Sequence, residues 1–218
     1  MPTPSIHAFA EKVVLITDGT NPIGRAVALQ LALQGSYVIA GFPEAAEAAA
    51  ERALEELKSL GTLANAVKTD LTTADGAKNL VREVEKLYGR LDLLIHTVKS
   101  EPQSSFLETD EDIWQRAMNE NLKPVFFVTQ AAFPLMAPRP KPAIVTVASE
   151  TEKAKKNPAF AAAQTAIIGL TKQLSRELPK NFRVNAVVVE DGEQARDISE
   201  LFSTATGVSA DNVARAVL

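Results

Sequence analysis

The sequence predicts an α/β domain built on a doubly wound parallel sheet. Three observations predict it: six short β-branched runs, long helical patterns between them, and glycines where those helices should stop. The strand candidates are Val13–Thr17, Tyr37–Ala40, Leu63–Lys68, Leu91–Thr97, Ala143–Ala148 and Arg183–Val189. Each is a near-continuous apolar run rather than an alternating one, the pattern of parallel strands covered on both faces. Strands alternating with helices imply right-handed crossovers. In that architecture ligands bind at the carboxyl ends of the strands, where strand order reverses.

The helices follow from periodicity and punctuation. In the second, Ala46, Ala49, Ala50, Ala53, Leu54, Leu57 and Leu60 recur at helical spacing and form one apolar stripe. Gly35, Gly61 and Gly89 each follow a helical segment, where glycine takes the left-handed C′ conformation at least cost. Thr72 with Asp75, and Thr109 with Asp112, predict capped helix starts. Later helices are expected to stop before Pro138 and Pro179, and Pro134–Pro142 to form a stiff connector into the fifth strand. Past Val189 we expect short helical stretches at Ala195–Ser203 and Ala210–Leu218, leaving the outer edge of the sixth strand unpaired.

Composition narrows the function classes. The chain has 218 residues, 46% hydrophobic and 23% charged, which suits a single domain over 1–218 with a short tail at 1–10. The absence of cysteine excludes disulfides, thiolate nucleophiles and zinc–thiolate clusters, and two histidines offer little for a metal site. A net charge of −4 argues against nucleic-acid binding. No apolar run reaches the ~18 residues of a membrane span, and the start lacks a signal peptide's apolar core, so a cytoplasmic location is expected.

Several motifs then fall in order. They are VVLITDGTNPIG at Val13–Gly24, Asp70-Leu71 after the third strand, LDLLIHTVK at Leu91–Lys99, Asn121 in a helical run, IVTVAS ending on Ser149, FAAAQ at Phe160–Gln164, and VNAVVVEDG from Val184. From Glu11 to about Val189 the chain resembles the short-chain dehydrogenase/reductase family. The resemblance implies a Rossmann fold, an NAD(P) cofactor and hydride transfer to or from carbonyl substrates. It places Thr17, Asp18, Ile23, Gly24, Asp70, Leu71 and His96 at cofactor-contacting positions, and Asn121, Ser149, Phe160 and Gln164 at the catalytic ones. It also implies that the family's last strand is missing and that 190–218 is a shortened C-terminal region.

This chain departs from the family at the positions that perform the chemistry. The family's proton-donating tyrosine is Phe160 and its lysine is Gln164, and neither replacement can supply a proton or a charge. Of the loop's three glycines only the last, Gly24, remains; Asp18 and Pro22 occupy the other positions. Proline removes an N–H, and a carboxylate sits beside a site meant for an anion. The end of the second strand, Ala40-Gly41-Phe42-Pro43, offers no acid for a ribose diol and no arginine for a 2′-phosphate.

Each residue also has a plainer reading. Asp18 closes a turn, Phe160 packs at a helix start, Gln164 is a helix former, and His96 is a satisfied core histidine. Lys99, and the group Lys153, Lys155 and Lys156, are solvated charges, while Glu108, Asp110, Glu111 and Asp112 favour a helix start. The departures favour a catalytically inactive member that acts as a binding, regulatory or structural subunit with no cofactor. Its expected partner is another copy or an intact relative, docked through helices 110–136 and 158–178. Two alternatives stand beside this: an NAD(P)-dependent oxidoreductase with an altered site, using His96 or Lys99 as acid, and a binder of another small ligand in the cofactor cleft.

Overall fold

The computed structural model describes residues 9–97, 104–149 and 157–189. Six parallel strands, β1 (Val13–Ile16), β2 (Tyr37–Phe42), β3 (Ala64–Lys68), β4 (Leu93–His96), β5 (Ala143–Ser149) and β6 (Arg183–Val189), pair in the order β3-β2-β1-β4-β5-β6. The order reverses between β1 and β4, which opens a crevice at their carboxyl ends. The helices are α1 (Pro22–Leu33), α2 (Glu47–Ser59), α3 (Ala74–Tyr88), α4 (Glu111–Ala117), α5 (Lys123–Met136) and α6 (Pro158–Glu177). The segments proposed beyond Val189, together with Lys99, Lys153, Lys155 and Lys156, lie outside the described residues.

Alternate strand residues feed two cores, as expected of a sheet covered on both faces. Val14, Ile16, Val38, Leu93 and Ile95 pack against Val27, Ala28 and Leu31 of α1 and Leu57 of α2. Val13, Leu15, Ile39, Leu94 and Ile144 pack against Leu80 and Val84 of α3 and Val128, Ala132 and Met136 of α5. A smaller cluster joins Val125, Ala148 and Ile167.

Gly35, Gly61 and Gly89 take φ of 82°, 74° and 61°, the left-handed conformation expected at these helix ends. The predicted caps shift by one residue. Thr73, not Thr72, caps α3 by accepting from Gly76 N, and Asp110, not Thr109, caps α4 by accepting from Ile113 N. The displaced hydroxyls have other partners: Thr72 donates to Asp70 Oδ1 and Thr109 to the Ser105 carbonyl. The alanine-rich start of the second helix opens as one 3-10 turn, Glu44–Ala46, before α2 proper. Pro134 lies inside α5 rather than opening the connector, because its fixed φ still suits a helix whose neighbours are packed in the core.

The single helix expected over 110–136 is interrupted by a π turn, Met118–Leu122. Pro124 has no N–H and its ring crowds the carbonyl four residues back, so the regular ladder cannot pass through Glu120. The π turn absorbs the mismatch. Within it the buried Asn121 donates from Nδ2 to the Ala117 carbonyl at 3.0 Å.

The amino-terminal edge of the sheet is tied by Asp92, whose side chain is 6% exposed. Its carboxylate accepts from Val13 N at 3.0 Å and Arg139 Nε at 2.8 Å, joining β1, β4 and the approach to β5. Replacing it leaves a buried N–H and a half-buried guanidinium without their acceptor. Asp92→Ala should therefore lower stability by about 3 kcal/mol, measured by urea denaturation.

Candidate functional site

At the carboxyl end of the sheet, Thr17, Asp18, Phe42, Pro43, Thr69, Asp70, Leu71, Thr72, Thr97, Glu120 and Pro124 line one cleft with about 440 Å³ of space open to solvent. Of the residues singled out in the sequence, Thr17, Asp18, Asp70 and Leu71 meet here. Sequence reasoning had Phe42 and Pro43 at the strand end beside the site but missed Thr69, Thr72, Thr97, Glu120 and Pro124 as lining residues. The signals were present in part: Phe42-Pro43 ends β2, and Pro124 marks the π turn that carries Glu120 to the cleft.

The turn after β1 consumes its own donors. Asp18 is 8% exposed, and its Oδ1 accepts from Thr20 N at 2.9 Å, Thr20 Oγ1 at 2.6 Å and Asn21 N at 3.3 Å. Asn21 caps α1 by accepting from Gly24 N at 2.7 Å, and its Nδ2 donates to the Asp18 carbonyl and to Thr97 Oγ1. Gly19 N donates to the Gly41 carbonyl and Arg25 N to the Asn21 carbonyl. From Gly19 to Arg25, Ile23 alone keeps an N–H with no acceptor among the described residues, and Pro22 has none to offer. Gly24 remains for a steric reason. A Cβ there would lie 1.9 Å from the Asp18 carbonyl oxygen.

The turn after β3 is built the same way. Asp70 Oδ1 accepts from Thr72 N at 2.9 Å and Thr72 Oγ1 at 2.7 Å. The cap Thr73 donates to the Asp70 carbonyl at 3.2 Å and accepts from Gly76 N at 3.0 Å. A Cβ on Gly76 would lie 1.7 Å from the Asp70 carbonyl oxygen. Both turns therefore share one plan: Asp, Thr two residues on, a capping side chain at three and glycine at six. The motif is written in the sequence at 18–24 and 70–76. It turns the first βα turn into a self-capped structural corner.

A dinucleotide diphosphate, which the fold implies, needs free N–H donors or a cation at this point. Here Asp18 engages the N–H groups of Thr20 and Asn21, the acids Asp18, Asp70 and Glu120 line the same space, and no lysine or arginine among the described residues lines it. The residues present do not fit the group.

The positions that resemble a catalytic set lie on elements that pack together, α6 lying against both the π turn and β5. Ser149 ends β5, in register with Val189 of β6. Asn121 is buried in the π turn. Phe160 and Gln164 lie one turn apart on α6, 5% and 0% exposed. Phe160 N is fixed by Asn157 Oδ1 at 2.9 Å, the cap that starts α6 beside Pro158. Neither tyrosine can stand in for Phe160. Tyr37 and Tyr88 stack on each other at 5.5 Å, at the start of β2 and the end of α3, away from the cleft.

His96 does not line the cleft, which corrects its expected place among the cofactor contacts. It points into the core beneath α5, with Nε2 3.0 Å from Thr129 Oγ1 and Nδ1 without a partner among the described residues. Burial pushes its pKa down to about 3. The imidazole is neutral at pH 7 and cannot serve as a proton donor of ordinary strength.

Residues 12–191 match the sequence profile of the short chain dehydrogenase family. The chain belongs to the short-chain dehydrogenase/reductase family. Among curated proteins it is 33% identical to the 3-oxoacyl-(acyl-carrier-protein) reductase FabG of Staphylococcus aureus over 180 residues, covering 81% of this chain and 72% of that one. It is 29% identical to the short-chain dehydrogenase/reductase FrzI of a Cladobotryum species over 199 residues, 90% of this chain and 75% of the relative. Among solved structures, a short chain dehydrogenase from Burkholderia cenocepacia in complex with NADP superposes with a TM-score of 0.76 at 27% identity, over 83% of this chain and 74% of that one. A putative short chain dehydrogenase from Escherichia coli shares the fold at a TM-score of 0.78 and 24% identity, over 86% and 84% of the two chains. No helix among the described residues is long and apolar enough to cross a membrane, and no group of metal-ligating side chains occurs among them.

His96 makes stability depend on pH. The unfolded chain binds a proton near pH 6.5 that the folded chain refuses until about pH 3, so stability falls as pH drops through that window. The expected slope is at most about 1.4 kcal/mol per pH unit, read from denaturation midpoints. His96→Asn should flatten this component.

Proposed function

We propose that this protein is a catalytically inactive member of its family that acts as a binding or regulatory subunit. The pair Phe160 and Gln164 carries the reading. Both sit where the family's acid and its lysine stand, both are buried in α6, and neither has a proton or a charge to contribute. Proton transfer of this kind supplies roughly 10²–10⁴-fold of the rate, and His96 and the two tyrosines are not placed to replace it. Its relatives are oxidoreductases, one a 3-oxoacyl-(acyl-carrier-protein) reductase, so 3-oxoacyl thioesters and simple ketones are the substrates to test.

Incubated with NADH or NADPH and these carbonyl compounds, the chain should consume no cofactor above the uncatalysed background. Phe160→Tyr with Gln164→Lys should remain inactive, because the turn bearing Asp18 and Pro22 still opposes the diphosphate. Clear turnover by the wild-type chain would overturn the proposal.

A second copy, or an intact relative, is the partner the helices 110–136 and 158–178 would take. Trp114, Phe126 and Ile168 support this, since these apolar side chains on α4, α5 and α6 are 42%, 44% and 37% exposed. A self-complementary helix pair is the simplest closed interface. Light scattering at micromolar concentration should give a dimer or tetramer, and Phe126→Glu should shift it toward monomer; a wild-type monomer would defeat this part.

A further inference from the structure

The amino-terminal end of the sheet, opposite the cleft, gathers positive charge. The segments leading into β1, β4, β5 and β6, at 9–12, 89–92, 137–142 and 178–182, carry Lys12, Arg90, Arg139, Lys141 and Lys180, and Arg183 opens β6. Glu11 and Asp92 are the only acids in these segments, in a chain whose net charge is −4. The four strands are neighbours spaced about 4.8 Å apart, so the cations form a row roughly 15 Å long. Hydrogen bonds hold the segments together. Arg90 Nη2 donates to the Glu11 carbonyl at 2.7 Å, Asn181 Nδ2 to the Arg139 carbonyl at 3.0 Å, and Arg183 N to the Pro142 carbonyl at 3.0 Å.

Asp92 neutralises only part of this row. Arg139 Nε lies 2.8 Å from one of its oxygens and Arg90 Nε 3.6 Å from the other, which also accepts from Val13 N. Glu177, at the end of α6, is taken by Gln173. Lys12, Lys141, Lys180 and Arg183 have no carboxylate within ion-pair distance among the described residues. Arg183 is the sharpest case. Its Nε and Nη1 are buried without an acceptor among those residues, while the residue as a whole stays partly exposed. Burial holds its pKa below the usual arginine value. A guanidinium deprived of water and of an anion is destabilising, and a carboxylate taken by its planar fork relieves that.

We propose that this edge docks an acidic peptide segment of a partner protein, one carboxylate taken by Arg183 and others by Lys141, Lys180 and the cations leading into β4 and β1. An extended peptide advances about 3.3 Å per residue, so roughly five residues match the row. A longer polyanion or an anionic membrane would reach past it and meet the negative remainder of the chain. The surface lies at the other end of the sheet from the cleft, so the proposal holds whether or not the chain reduces a carbonyl.

Fluorescein-labelled hexaglutamate is the probe, titrated with the whole chain and followed by anisotropy. It should bind at about 50 mM salt, weaken by about tenfold or more at 500 mM, and outcompete a neutral glycine–serine peptide. Arg183→Gln should weaken binding by about tenfold, and so should Lys141→Gln with Lys180→Gln, two exposed positions whose replacement leaves the fold intact. Lys68→Gln with Lys78→Gln, at the opposite end of the sheet and on α3, should leave it unchanged. Unchanged thermal midpoints would show that the variants are folded, and the lysine pair decides the matter if Arg183→Gln is not. No binding at low salt, equal binding by the Lys141 and Lys180 double variant, or tighter binding of duplex DNA or phosphatidylserine vesicles would overturn the proposal.

Discussion

The Asp18 carboxylate folds the first βα turn onto itself, and the character of the cleft follows from that. A helix start normally presents several N–H groups in want of an acceptor, which is why anions gather there. Here an internal acid takes the N–H groups of Thr20 and Asn21, and the Asn21 side chain takes that of Gly24. The ligand that the backbone would otherwise recruit has been replaced by a side chain of the same charge. An external phosphate would have to displace that carboxylate or lie against it. Either course forfeits the hydrogen bonds that hold the corner or adds a repulsion in a partly dry crevice.

The same substitution explains how the fold tolerates losing two glycines. The corner is held by hydrogen bonds from Asp18 and Asn21, and by contact between Gly24 and the Asp18 carbonyl, none of which needs a cofactor. On the far side of the sheet crevice, Phe160 and Gln164 are likewise absorbed into the body of α6. Stability resides elsewhere: in the two cores that alternate along the strands, and in the Asp92 tie between β1 and the Arg139 connector. Fold and chemistry are separable because they draw on different residues.

The strand pattern was legible because buried parallel strands carry an unbroken apolar signal; β6 runs over Arg183–Val189, as the sequence implied. The glycine helix ends were legible because φ near +60° to +80° excludes most other residues at little cost. The caps were misjudged by one residue because two adjacent capping side chains compete at each helix start, Thr72 with Thr73 and Thr109 with Asp110, and only three-dimensional placement decides which one faces the helix. Thr72 is drawn away by Asp70, leaving Thr73 as the cap. The π turn was hidden because Pro124 and Pro134 look alike in a helical run, yet only the first coincides with a break. Of the candidate site, Asp18 was visible as a departure from the family pattern and Asp70 as a match to it. Their meeting across β2 follows from strand order, which no local pattern encodes. His96 was misplaced because a strand end can face either the crevice or the core, and its parity with Leu94 turns it toward α5.

The duplication of one turn plan gives a stronger argument than any single substitution. An isolated Asp18 in a glycine's position could be read as drift in a loop no longer under use. Drift would not also set Thr20 at two residues, a capping amide at three and keep glycine at six, with bond lengths matching those after β3 to within a few tenths of an ångström. The glycine is retained at 24 for the reason it is retained at 76: the carbonyl of the aspartate six residues earlier fills the space a Cβ would need. Gly24 is thus a property of the corner, and its presence says nothing of a diphosphate. Once that glycine is removed from the ledger of cofactor signals, what faces the cleft is a pair of carboxylate-capped turns around an apolar strand end.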